Sequence, residues 1–153
     1  IAIPAYQDYI AKTRISECPA ASAAIKTNVA LALQDGTFLL ETGSATGIPL
    51  NDGTDGNQTI GILGQASYVS ENISRVAVES FTEIVAINGV FPLGAGITCL
   101  YQNNIPTYTG ALVPTYLNLV SVQSAGNIRW VPTMTSTTGF PATNVKRKHL
   151  PKK

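Results

Sequence analysis

Apolar and small residues at Ile15, Cys18, Ser22, Ile25, Val29 and Ala32 recur at spacings of three and four. That rhythm draws one semi-apolar stripe along a helix. Ala20, Ala21, Ala23, Ala24, Ala30 and Ala32 favour the same conformation intrinsically. The pattern predicts a helix over residues 5–33, with Gly36 as its stop. Pro4 and Pro19 each lack a backbone donor, so kinks near both and a gently bent rod are expected.

Beyond the helix the periodicity lapses. Gly36, Gly43, Gly47, Gly53, Gly56, Gly61 and Gly64 sit among Thr, Asn and Asp, which reads as a long surface loop over residues 36–67. Loops of that length in compact domains usually carry function. A period of two sets in after Tyr68. In ISRVAVES, Val76 and Val78 fall on one face, with Arg75, Ala77 and Glu79 on the other. Asn88-Gly89 is a hairpin signal. GITCLYQ, ALVPTYLNLVSV and NIRWV are further strand candidates, Pro114 marking an edge or a strand end. Residues 132–153 show little regular signal. One helix followed by strands gives an α+β domain, its long N-terminal helix packed on an antiparallel sheet of about four strands. A single domain over residues 1–153 is thus expected: helix 1–35, loop 36–67, sheet 68–131 and an irregular C-terminal region 132–153.

Composition narrows the chemistry. Charged residues make up 12% of the chain, about half the usual share. An apolar content of 44% argues against disorder. The net charge of +1 hides an asymmetry: Lys146, Arg147, Lys148, Lys152 and Lys153 supply five of the ten basic residues. Residues 1–145 therefore hold five basic against nine acidic side chains, a net of −4. The basic tip is a candidate phosphate-contacting surface, set against the plainer reading of a solvated tail. Tyr101 and Tyr108 are not interleaved with basic residues, so no base-stacking platform is visible.

His149 is the single His, and in the basic tip it reads as solvated rather than as a general base. No G-x-S-x-G or Walker A sequence occurs, and Gly94-Ala95-Gly96 lacks the rest of a dinucleotide loop. The inventory supplies no nucleophile with a base and an orienting group, so neither an enzyme nor a cofactor is expected. Asp52, Asp55 and Asn57 lack EF-hand spacing and read as consecutive Asp-Gly turns rather than a metal site. Cys18 and Cys99, 81 positions apart, fit no zinc or C-x-x-C pattern. Either they pair, or they act as two small buried apolar groups. No apolar run is long enough for a transmembrane helix, and no signal peptide is present.

The opening IAIPAYQDYIAKTRISE closely resembles the first helix of bacterial type IV pilins of the IVa class. In that family a leader is removed before a Phe, a long apolar run follows, and an Ala-Ile-Pro-Ala-Tyr stretch leaves the membrane. The resemblance implies that the upstream half of this helix is absent from the chain. LQDG, YVSENISRVAVE with a later NGV, LVPTY followed by AGNIRWV, and HLPKK match the family more loosely, in the same order. One departure stands out. Members commonly close a C-terminal loop with a disulfide whose first Cys lies two residues after the Trp, and here that position is Pro132. Against that pattern, Cys18 with Cys99 reads as a substitute staple between helix and sheet, the alternative being a Cys99 partner beyond Lys153.

The resemblance implies a structural subunit of a helical filament of identical copies. It would be held in the inner membrane by the upstream helix, handed to the assembly machinery there, and displayed as an extracellular pilus. Adhesion, twitching motility and DNA uptake would be its duties, with host receptors or DNA as outside partners. It assigns Ile1, Ile3, Pro4, Tyr6, Tyr9 and Ile10 to the assembly helix. The loops and the tip Lys146, Arg147, Lys148, Lys152 and Lys153 fall to the outer surface. The alternatives are a minor pilin or a type II secretion pseudopilin, or a DNA-binding or adhesive tip module. Pseudopilins tend to carry a C-terminal calcium loop, whereas no acidic residue follows Glu83 here.

Overall fold

In the computed structural model the helix forms as three consecutive segments, α1 (Ala2–Ile15), α2 (Glu17–Ala21) and α3 (Ala23–Gln34). The structure describes residues 2–38, 51, 57–80, 92–102, 115–124, 127–133 and 143–150. The segments form one ladder, because Ser16 N–H donates to Lys12 O at 3.0 Å and Ser22 N–H to Cys18 O at 2.9 Å. No break occurs at Pro4, contrary to the expected kink. It is the third residue of α1 as described, and the helix runs on past it to Ile15. The interruptions fall at Ser16 and Ser22, either side of Pro19.

Pro19 has no N–H to offer the carbonyl four residues back, which is that of Ile15. A buried carbonyl without a donor is costly. The Tyr101 hydroxyl fills the gap, donating to Ile15 O at 2.7 Å in a buried contact. Burial pushes that phenol well above its ordinary pKa, with the charge of Glu17 adding to the effect, so it stays a donor. Tyr101→Phe should therefore destabilise the fold by about 1–3 kcal/mol. Urea denaturation checks this; a change below about 0.5 kcal/mol would mean that the carbonyl is satisfied otherwise.

Ile15, Cys18, Ser22, Ile25, Val29 and Ala32, the whole stripe, are buried. Ser22 tolerates that position because its hydroxyl donates to Cys18 O at 2.7 Å. The rod ends where Gly36 takes a φ of 73°, a left-handed conformation that favours glycine.

Four strands, β1 (Ile73–Ser80), β2 (Pro92–Tyr101), β3 (Tyr116–Ser124) and β4 (Asn127–Pro132), form an antiparallel sheet in the order β1-β2-β3-β4. The register sets Val76, Cys99 and Leu117 in one row and Val78, Ile97 and Leu119 in the next. These six join the helix stripe in a single core cluster. Cys18 and Cys99 are joined by a disulfide, which staples α2 to the interior strand β2. The architecture is α+β, a helix over a four-stranded antiparallel sheet.

Most of the loop expected at residues 36–67 lies outside the described residues, as do the Asn88-Gly89 turn and Pro114. Its described part is ordered around one buried amide. Asn51 Nδ2 donates to Leu63 O and to Val76 O, while Asn51 Oδ1 accepts from Val78 N–H at 2.9 Å. The side chain thus takes the place of a peptide group against the outer edge of β1, where unpaired backbone groups are otherwise exposed to pairing. Asn57 and Ile62 close a tight turn with Gly61 at a φ of 69°. Asn28 Nδ2 ties that turn to α3 by donating to Gly61 O at 2.7 Å.

The C-terminal region is more ordered than its sequence suggests. Asn144 N–H donates to Tyr116 O, Asn144 Oδ1 accepts from Tyr116 N–H, and Thr143 Oγ1 accepts from Asn118 N–H. These bonds run along β3 beyond the end of β4, so polar side chains continue what a strand would otherwise supply. Val145 enters the core, and a 3-10 turn follows at Arg147–His149.

Candidate functional site

α1 presents two faces of unlike character. Ala11 and Ile15 are buried against the body. Ile3, Tyr6 and Tyr9 are 69%, 64% and 68% exposed, and Ile10 is half-buried. At 3.6 residues per turn these four share a stripe that points away from Ala11 and Ile15. Large side chains thus stand in a row along one face of the helix, three of them in water. Pro4 is exposed beside them, and Ile1 lies outside the described residues.

The basic tip is not a free tail. The Arg147–His149 turn docks on α1, with Lys148 Nζ donating to Asp8 Oδ2 and His149 Nε2 lying 3.2 Å from Asp8 Oδ1. The Asp8 carboxyl is held below its ordinary pKa, chiefly by the hydrogen bond from Lys148 and further by His149 and the two charges, against a desolvation effect that opposes them. The expectation of a solvated His149 is overturned: its side chain is 3% exposed. The cause is Asp8, which supplies an acceptor at the protein's surface and lets the imidazole body leave water. Lys146 is half-buried, Arg147 and Lys148 are exposed, and Lys152 and Lys153 lie outside the described residues.

A second polar cluster lies on the sheet face turned away from the helix. Glu79 sits opposite Gly96 in the register. Its Oε2 is 3.4 Å from Thr98 Oγ1, which lies 3.2 Å from Asn118 Oδ1. Burial pushes the Glu79 carboxyl up to about 7, against the opposing pull of the Thr98 hydrogen bond and the Arg75 charge.

Among the described residues there is no group of three or more His, Cys, Asp or Glu placed to hold a metal ion. A recess of about 210 Å³ between α3 and the 57–62 turn is lined by Leu31, Ala32 and Ile60 with polar Asn28, Asp35 and Thr59. It is smaller than most small-molecule sites. Asp52 and Asp55 lie outside the described residues, and Asn57 is engaged in its turn. No described helix is long and apolar enough to cross a membrane.

The sequence pointed to the stripe and the two cysteines. It did not point to Asp8, Asn51, Glu79 or a buried role for His149, because each acts through a partner remote in the chain. Comparison with protein-family models, with curated proteins and with solved structures finds no match to this chain.

Proposed function

We propose that the chain is a structural subunit of an extracellular helical filament of the type IV pilin kind. The observation that carries this reading is the exposed stripe Ile3, Tyr6, Tyr9 and Ile10, set on a helix stapled to a compact head. A subunit that offers an apolar helix face at one place, and receives a neighbour at another, makes heterologous contacts that do not close and so builds a filament. The helix-over-sheet architecture and the opening IAIPAYQDY support the same reading. In it the upstream helix anchors the subunit in the inner membrane before the assembly machinery extracts it. The head then serves adhesion, twitching motility and DNA uptake from the filament surface.

A double substitution Tyr6→Glu, Tyr9→Glu in the source cells should abolish surface filaments. The isolated head should keep its stability within about 0.5 kcal/mol, since both side chains stand in water. Filaments of normal number and length would contradict the proposal.

A DNA-binding or adhesive tip module is the second reading, favoured by the cations Lys146, Arg147 and Lys148 gathered beside α1. Neutralising the tip and measuring salt-dependent DNA shifts separates the two. A minor pilin or pseudopilin would share the assembly surface and differ in abundance.

A further inference from the structure

Tyr6 and Tyr9 stand in water on α1, and among the described residues neither hydroxyl has a hydrogen-bond partner. A tyrosine ring leaves water at low cost where its apolar body is packed and its hydroxyl is paired. A seat for it therefore needs an apolar wall and a polar rim. The recess between α3 and the 57–62 turn has both. Ala32 and Ile60 are buried in its wall, and Leu31 lies beside them with 54% of its surface exposed. Asp35 and Thr59 are exposed on its rim, their side chains without a partner among the described residues. A carboxylate accepts and a phenol donates, so Asp35 suits a tyrosine hydroxyl. The sizes agree as well. An apolar cavity of about 150 Å³ takes a benzene ring, and this recess holds about 210 Å³.

The recess cannot be filled from its own α1. The helical segments form one ladder, and from Tyr6 to Leu31 it spans about 37 Å at 1.5 Å per residue. A second copy can supply the ring. We infer that the recess lined by Leu31, Ala32, Ile60, Asp35 and Thr59 seats the Tyr6–Tyr9 face of α1 from a neighbouring copy of this chain, one ring entering it and its hydroxyl donating to Asp35. The inference rests on the filament reading and names the receiving surface that such a subunit requires.

Ile3 and Ile10 are poorer occupants. An alkyl side chain would cover Asp35 and leave its carboxylate without a donor, which is costly. With the rods parallel, as in a filament, the contact joins the lower part of one rod to the upper part of the next. Each copy is then shifted lengthwise against its neighbour, and the contact repeats without closing on itself.

Cross-linking in filaments from the source cells tests the seat. Ala5, one turn from Tyr9, and Gln58, beside Thr59, are both exposed. The native cysteines are paired and buried, so Ala5→Cys with Gln58→Cys adds the only reactive thiols. A short bis-maleimide should link this double variant into a ladder that runs beyond pairs, whereas each single variant gives pairs at most. Thr59→Trp, which fills the recess from its exposed rim, should abolish filaments and leave the melting temperature of the chain unchanged. Filaments of the double variant that give no ladder, a product that stops at pairs, or normal filaments from Thr59→Trp would each overturn the seat and leave the filament reading standing. Filaments that lack this chain altogether would overturn the filament reading and the seat with it. If either variant does not fold, the other decides.

Discussion

Replacing both cysteines, Cys18→Ala with Cys99→Ala, should destabilise the fold by about 4–5 kcal/mol, the largest effect expected of any local change. The bridge closes a loop with a sequence separation of 81. Its removal returns that closure entropy to the unfolded chain, an effect that grows with the logarithm of loop length. For a domain whose total stability is of order 5–15 kcal/mol, this is a large fraction. The melting temperature should drop by about 10–15 °C. Alanine is the right replacement because both sulfurs are buried, and a serine hydroxyl there would add a second penalty. Urea denaturation with and without reductant checks the result. Reductant should bring the wild type close to the variant and leave the variant unchanged. A loss below about 1 kcal/mol would mean that the helix is held to the sheet by packing alone.

Stability should also fall as the pH rises from about 5 to 8, through Glu79. Its folded-state carboxyl titrates at about 7, against an ordinary value of 4.5, with burial as the main cause. Between those values the unfolded chain has lost its proton while the folded chain retains it. The folded state therefore binds more protons, and raising the pH favours unfolding. Below the ordinary value both states are protonated and the effect is absent. Going from 4.5 to about 7 corresponds to about 3 kcal/mol.

Hydrogen counting agrees with a protonated Glu79. Thr98 has one hydroxyl hydrogen and two acceptors within reach, Glu79 Oε2 and Asn118 Oδ1. A protonated Glu79 can donate to Thr98 Oγ1, leaving the threonine hydrogen for Asn118. Glu79→Gln should flatten the pH dependence and be the more stable form above about pH 7. Equal slopes in the two proteins, measured by urea denaturation across that range, would assign the dependence to another group.

The course of the sheet and helix could be read from the chain because their periods are unambiguous. All six stripe residues from Ile15 to Ala32 are buried, and Val76 and Val78 share the core face as alternation required. The break at Ser16 and Ser22 was legible through Pro19, but the Tyr101 hydroxyl that satisfies the freed carbonyl was not, since it comes from 86 residues away. Asn51 looked like one polar residue among many in a Gly-rich stretch. Its edge-strand role depends on an amide matching the spacing of Val76 O and Val78 N–H, which no periodicity records.

Glu79 falls with Arg75 and Ala77 on the face opposite Val76 and Val78, yet Glu79 and Arg75 meet different surroundings there. The difference lies across the sheet: Glu79 sits beside Gly96 and near Thr98 in a buried row, whereas Arg75 stays exposed. The C-terminal region escaped notice for a similar reason. Thr143 and Asn144 pair with β3 through side chains, so they need no alternation of apolar residues. His149 was placed among cations by its neighbours in sequence, while its environment is set by Asp8, 141 positions earlier.

The central claim is assembly, and native material tests it most directly. Filaments sheared from the surface of the source cells would be imaged, and the N-terminus and intact mass of their subunit determined with and without reduction. The account predicts this chain as an abundant subunit whose N-terminus is a methylated Phe, followed by an apolar stretch running into IAIPAYQDY. Reduction should add two hydrogen atoms to the mass, and digestion should place the bridge between Cys18 and Cys99. A chain absent from the filaments, or found only as a free protein beginning at Ile1, would contradict it.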